Sequence, residues 1–176
     1  MKKNWYAVYT KQHCELKVAN LLKRKKIENY CPLNRTLNCK GNTKRWVYEP
    51  LFTSFVFVYI TDVEISKIKQ INSVVSFIYW LDKPAIISDE EIENIKDITR
   101  EYSNIHLQKI SVNPNGVASF FSEPLFDINP SSTLISVKNS NFKLLLPSIG
   151  YVMTTEIEKS TIDVFNYGFE RTKLVS

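Results

Sequence analysis

The sequence predicts an α+β domain of roughly 100 residues followed by a small all-β unit. Three observations predict it. Phe55-Val56-Phe57-Val58-Tyr59-Ile60 alternates rings with aliphatic side chains, the period of two that belongs to a strand. Two capping boxes, Thr61 with Glu64 and Ser88 with Glu91, each open an isoleucine stripe at helical spacing. After about residue 108 that periodicity gives way to short strand-like runs separated by turns rich in Pro, Asn, Ser and Gly.

In chain order, Trp5-Tyr6-Ala7-Val8-Tyr9 is aromatic and β-branched enough to be a strand. From about Cys14 to Lys26 the pattern is helical: Val18, Leu21 and Leu22 recur on one side, and Lys17, Asn20 and Arg24 on another. Asn29-Tyr30-Cys31 is a short extended piece ended by Pro32. The polar run 38–43 between Leu37 and Trp46-Val47 then reads as a β-hairpin with a basic tip. In the central strand Phe55, Phe57 and Tyr59 share one side and Val56, Val58 and Ile60 the other; the same parity puts Trp5, Ala7 and Tyr9 together. The expectation is a sheet whose aliphatic side is packed by helices and whose other side carries rings. A short helix follows with Ile65, Ile68 and Ile71 inward. A strand over 74–79 comes next, then a helix with Ile92, Ile95, Ile98 and Tyr102 on one stripe and acids in its first turn, where the helix dipole favours them. Beyond a boundary near Gln108–Gly116, runs at 117–121, 133–138, 142–146 and 151–157 complete an all-β unit, a candidate barrel.

Composition narrows the function. With 44% hydrophobic and 12% aromatic residues the chain can bury a core. The start has no apolar stretch of a signal peptide, and uncharged runs such as Leu51 to Thr61 are far short of the roughly 20 residues of a membrane helix. A soluble, cytoplasmic protein is expected, with no membrane contact. Cys14, Cys31 and Cys39 show no paired spacing, and His13 and His106 are scattered, so no metal site and no disulfide framework is expected. Residues 1–50 hold 12 Lys/Arg against 3 Asp/Glu, a net of +9, whereas the rest of the chain is net negative. Such asymmetry reads as a polyanion contact on the first part or as a solvated basic face. There are four glycines and no Gly-rich phosphate loop. His13 and Cys14, adjacent on a helix, point apart and make a poor dyad. Binding is expected, not catalysis, and no cofactor.

Trp5-Tyr6-Ala7-Val8-Tyr9-Thr10, Tyr30-Cys31-Pro32-Leu33, and Glu49-Pro50-Leu51-Phe52 running into Phe55-Val56-Phe57-Val58 resemble the N-terminal (NGN) domain of the NusG family, an α/β sandwich. The spacing to Val74-Val75-Ser76-Phe77 and Lys83-Pro84-Ala85-Ile86-Ile87 matches too, so the resemblance spans residues 4 to about 102. Within the family the chain is similar to the operon-specific RfaH and UpxY antiterminators. The resemblance implies an NGN-like domain over 1–107, a linker over 108–116 and a KOW-like β-barrel over 117–176. Glu123-Pro124-Leu125-Phe126-Asp127-Ile128-Asn129-Pro130 stands where the family has a glycine-bearing KOW turn; it keeps Pro-Leu and no glycine, so the motif is degenerate.

The resemblance further implies a transcription elongation and antitermination factor that bridges the DNA cleft of RNA polymerase and suppresses pausing and termination. Tyr9, Phe52, Phe55 and Phe57 match positions that dock on the β′ clamp helices. On the residues alone these rings read first as core, covered by the second unit or the hairpin. Lys11, Lys17 and Arg24 match the surface that touches the non-template DNA strand, with His13 and Asn20 close by. Ser66 and Lys67 fall where RfaH-like members meet the β gate loop, without the family's His-Thr-Thr pattern. A ribosomal protein or Rho is the partner implied for the C-terminal unit. Two other readings stand beside this one: an RNA-binding module stacking bases on Phe55, Phe57 and Tyr59, and a ribosome-associated KOW protein.

Overall fold

The computed structural model describes residues 2–40, 43–80, 82–109, 111–112, 118–120, 123–124, 135–138 and 141–156. In its N-terminal part, β1 (Asn4–Thr10), α1 (Glu15–Arg24), β2 (Glu28–Tyr30), β3 (Leu33–Lys40), β4 (Thr43–Pro50) and β5 (Phe55–Ile60) follow one another. Then come a 3-10 turn, α2 (Ile65–Lys69), β6 (Val74–Phe77), the two-residue strands β7 (Tyr79–Trp80), β8 (Lys83–Pro84) and β9 (Ile86–Ile87), and α3 (Asp89–Glu101). Beyond them lie β10 (His106–Lys109), β11 (Ser111–Val112), β12 (Ala118–Phe120), β13 (Glu123–Pro124), β14 (Ile135–Lys138), β15 (Asn141–Leu146) and β16 (Tyr151–Glu156).

The main sheet runs β2-β5-β1-β6, with β9 also on β1, and its pairs are antiparallel. The register of β1 on β5 sets Trp5 opposite Tyr59, Ala7 opposite Phe57 and Tyr9 opposite Phe55. Directly opposed residues share a face, so the rings do gather on one side. The other side is the aliphatic layer expected: Tyr6, Val8, Val56, Val58 and Ile60 pack against Val18 and Leu22 of α1 and Ile68 of α2.

The ring side, which the sequence was expected to leave without helices, is covered as well. Ile92, Ile95 and Ile98 of α3 pack on Trp5, Ala7 and Phe57, together with Leu144, Leu146 and Met153 from β15 and β16. The physical reason is that both faces of β1 are apolar. Each of the three helices carries an apolar stripe, and the aliphatic face is filled by two of them. Both capping boxes form: Glu64 Oε2 accepts from Thr61 N at 2.9 Å, and Ser88 Oγ accepts from Glu91 N at 3.1 Å.

β3 and β4 pair over their full eight residues as a separate two-stranded ribbon, far longer than the tip turn that marks it in the sequence. Its base is closed by Leu51 N donating to Pro32 O at 2.8 Å. The C-terminal strands form two antiparallel sheets, β10-β16-β15-β14 and β11-β12-β13. The expected strands at 117–121, 133–138, 142–146 and 151–157 correspond to β12, β14, β15 and β16. Residues 125–130 of the degenerate turn lie outside the described residues. No helix among the described residues is long and apolar enough to cross a membrane.

Candidate docking face and nucleic-acid interface

The ring face is built from the turn before β5. Glu15, buried in the first turn of α1, accepts from Ser54 N at 2.6 Å, and Ser54 O accepts from Thr10 N at 2.7 Å. Ser54 takes the left-handed conformation, φ 66°, and this strained corner is held by the carboxylate at one end and by β1 at the other. It places Phe52 at the start of the corner and Phe55 at the start of β5.

From there the rings form a continuous series. Tyr9 and Phe55 lie 5.2 Å apart, Phe52 and Phe57 5.4 Å, and Trp5 and Tyr59 5.1 Å, separations that suit tilted and edge-to-face contacts. Tyr151 of β16 presents its ring edgewise to both Phe52, at 5.9 Å, and Phe55, at 6.2 Å. Burial pushes the Tyr151 phenol above its ordinary pKa, with the neighbouring Tyr9 adding to the shift.

The four sequence-derived docking residues therefore divide. Tyr9 is 41% exposed and Phe55 half-buried, while Phe52 and Phe57 are sealed at 1% and 0%. The first two form a rim that a partner can reach. The second two lie in the core cluster that holds Leu144, Leu146 and Met153.

A buried carboxylate ties the C-terminal strands to the body. Glu91, 2% exposed, serves the Ser88 cap and also takes two hydrogen bonds from the turn between β15 and β16. Ser148 N donates to its Oε1 at 3.1 Å and Ser148 Oγ to its Oε2 at 2.5 Å. Nothing in the local pattern of Pro147-Ser148-Ile149-Gly150 marks Ser148 for this role, and sequence reasoning missed it.

The basic candidates sit elsewhere. Lys11, His13, Lys17, Asn20 and Arg24 are all exposed, the last three at steps of three and four along α1. His13 adopts φ 59° in the turn entering the helix. Ser66 and Lys67 are exposed side by side on α2. The structure thus gathers the ring set on one face of the sheet and the basic set around the helix on the opposite face. Among the described residues no three His, Cys, Asp or Glu side chains gather as a metal site would require.

The family model "Transcription termination factor nusG" matches residues 3–96, just over half of the chain. The chain belongs to the NusG family. No curated protein matches it. Among solved structures, Thermotoga maritima NusG, from a study of its domain interaction, is 19% identical over 91% of this chain and 96% of that one, with a TM-score of 0.48. A chain of the MjSpt4:Spt5 complex is 16% identical over 88% and 99%, with a TM-score of 0.31. As a NusG-family member this is a transcription factor, with a general role in elongation or antitermination alongside RNA polymerase. The matched segment takes in β1 to most of α3, so it contains every one of the docking, DNA and gate-loop candidates.

Proposed function

We propose that this NusG-family chain is an operon-specific antitermination factor of the RfaH and UpxY kind, acting on surface or capsular polysaccharide operons. Residues 1–107 serve as the NGN-like polymerase-binding domain, 108–116 as a linker, and 117–176 as a degenerate KOW-like β-barrel that takes a ribosomal protein or Rho. Tyr9, Phe52, Phe55 and Phe57 dock on the β′ clamp helices. Lys11, His13, Lys17, Asn20 and Arg24 follow the non-template DNA strand, and Ser66 and Lys67 reach the β gate loop. A factor holding both walls of the cleft binds the closed, elongating polymerase better than the paused one and shifts the population toward elongation.

The observation that carries this reading is the Tyr9–Phe55 ring pair at the edge of the sheet, half open beside a sealed remainder. Because Phe52 and Phe57 lie beneath Leu144, Leu146 and Met153, full docking requires β15 and β16 to leave the sheet. The partner then competes with the chain's own cover, and its apparent affinity is lowered by the fraction closed.

The test is binding of core polymerase by the full chain and by the Tyr9→Ala and Phe55→Ala variants. Loss of binding with an unchanged melting temperature supports the assignment; normal binding by both overturns it. Removing Lys17 and Arg24 together lowers the slope of log affinity for a single strand against log salt by about 1.4, at roughly 0.7 per phosphate contact.

A further inference from the structure

The β3–β4 ribbon carries a second surface with a chemistry of its own. Cross-strand pairing puts Arg35 opposite Tyr48, Leu37 opposite Trp46 and Cys39 opposite Lys44, all on one face. Each of these six residues is exposed, with Tyr48 at 64% and Trp46 at 41%. On the reverse face Asn34, Thr36 and Val47 are half-buried toward the body. There Asn34 exchanges two hydrogen bonds with Ile105, at 2.8 and 3.0 Å, while Asn104 N donates to Arg35 O at 2.9 Å. The ribbon is therefore fixed by one face and free on the other.

That free face is both aromatic and cationic. The Arg35 guanidinium lies over the Trp46 ring, 4.3 Å from its centre, a cation–π contact. Among the described residues no carboxylate pairs with Arg35 or Lys44. Over 33–50 the ribbon has four basic residues against the single Glu49. Trp46 and Tyr48 are two positions apart on one strand, so their rings project about 7 Å apart, a spacing that one unstacked nucleotide can bridge. Rings without hydrogen-bonding partners offer π-faces to any base, and neighbouring cations neutralise the phosphates between them.

We infer that the Trp46–Tyr48–Arg35 face of the ribbon binds a single-stranded polynucleotide, stacking successive bases on the two rings with Arg35 and Lys44 on its phosphates. This surface is distinct from the α1 face and does not depend on the docking assignment.

The experiment titrates the full chain with a mixed-sequence oligonucleotide of about 12 nucleotides. It is supplied as single-stranded DNA, as single-stranded RNA and as the DNA duplex, with anisotropy and tryptophan fluorescence as readouts. Binding is expected for one or both single strands, and the two arms tell which. Trp46→Ala with Tyr48→Ala weakens it roughly tenfold or more, and Arg35→Gln with Lys44→Gln lowers the salt slope by about 1.4. Trp46→Phe retains most of the affinity and loses the fluorescence quenching, a signature that a merely structural role would not produce. The same ring dependence persists in a Lys17→Ala, Arg24→Ala background. Unchanged binding after loss of both rings, tighter binding of the duplex, or capture of a polypeptide with no oligonucleotide bound would each overturn the inference.

Discussion

Ser148→Ala tests how the C-terminal strands are held on the sheet. The substitution removes the Oγ donor to Glu91 at 2.5 Å and leaves the backbone donor at 3.1 Å and the Ser88 cap in place. A hydrogen bond to a charged group contributes about 1.5–3 kcal/mol. Glu91 is 2% exposed, so water does not replace the lost donor easily. Each 1.4 kcal/mol is tenfold in an equilibrium constant, so local opening of β15 and β16 should become roughly ten- to a hundredfold more frequent. The assay is native-state hydrogen exchange of the amides of Leu144–Leu146 and Val152–Thr155, compared with those of β1 and β5. Acceleration confined to β15 and β16 supports the reasoning. Unaltered exchange there refutes it, as does equal acceleration across β1 and β5, because Ser148 would then stabilise the whole fold instead of the cover.

Two further outcomes follow from burial. Phe57→Ala empties a site of 0% exposure shared by Phe52 and Tyr30 and should cost about 3–5 kcal/mol, read as a lower urea midpoint at unchanged m-value. Burial, with the Glu15 charge adding to it, pushes the Cys31 thiol up to about 11 from 9.0, whereas Cys39 is exposed on the ribbon. Since the folded chain holds this proton more tightly than the unfolded chain, the stabilisation it gives is complete below pH 9 and fades as pH rises toward 11. At pH 8 an alkylating agent should label Cys39 and spare Cys31 until the chain is unfolded, as peptide mass spectrometry will show; equal labelling of the folded protein would contradict the burial.

The parts of the fold that were legible in the sequence have local signals. The alternation in Phe55–Ile60 sets its own two faces, and Thr61 with Glu64 and Ser88 with Glu91 mark helix starts through bonds made within four residues. What was not legible depends on distant contacts. Which side of the sheet α3 would cover could not be read, because Tyr6 and Val8 on one face of β1 are as apolar as Trp5 and Ala7 on the other. The two-residue strands β7, β8 and β9 are too short to show any period. In the ribbon, Arg35, Leu37, Trp46 and Tyr48 share a face only through the cross-strand register, and the turn chemistry of 38–43 gave the hairpin without its reach. Glu91 read as a capping-box acid and Glu15 carried no reading at all; their bonds to Ser54 and Ser148 span 39 and 57 positions. The rings of this sheet face were legible as a set, and the alternative of internal core describes Phe52 and Phe57.

The shortness of the link between α3 and β10 has a consequence for how the cover behaves. The helix ends at Glu101 and β10, which pairs with β16, begins at His106. Ile105 in that link is fixed in the core and to Asn34. A cover on so short a leash stays at a local concentration in or above the millimolar range even when it detaches. Dilution cannot open it, and a competitor must outbid an occupant that never diffuses away. Were β15 and β16 to lift, the tether would return them to the face as soon as whatever lifted them is withdrawn.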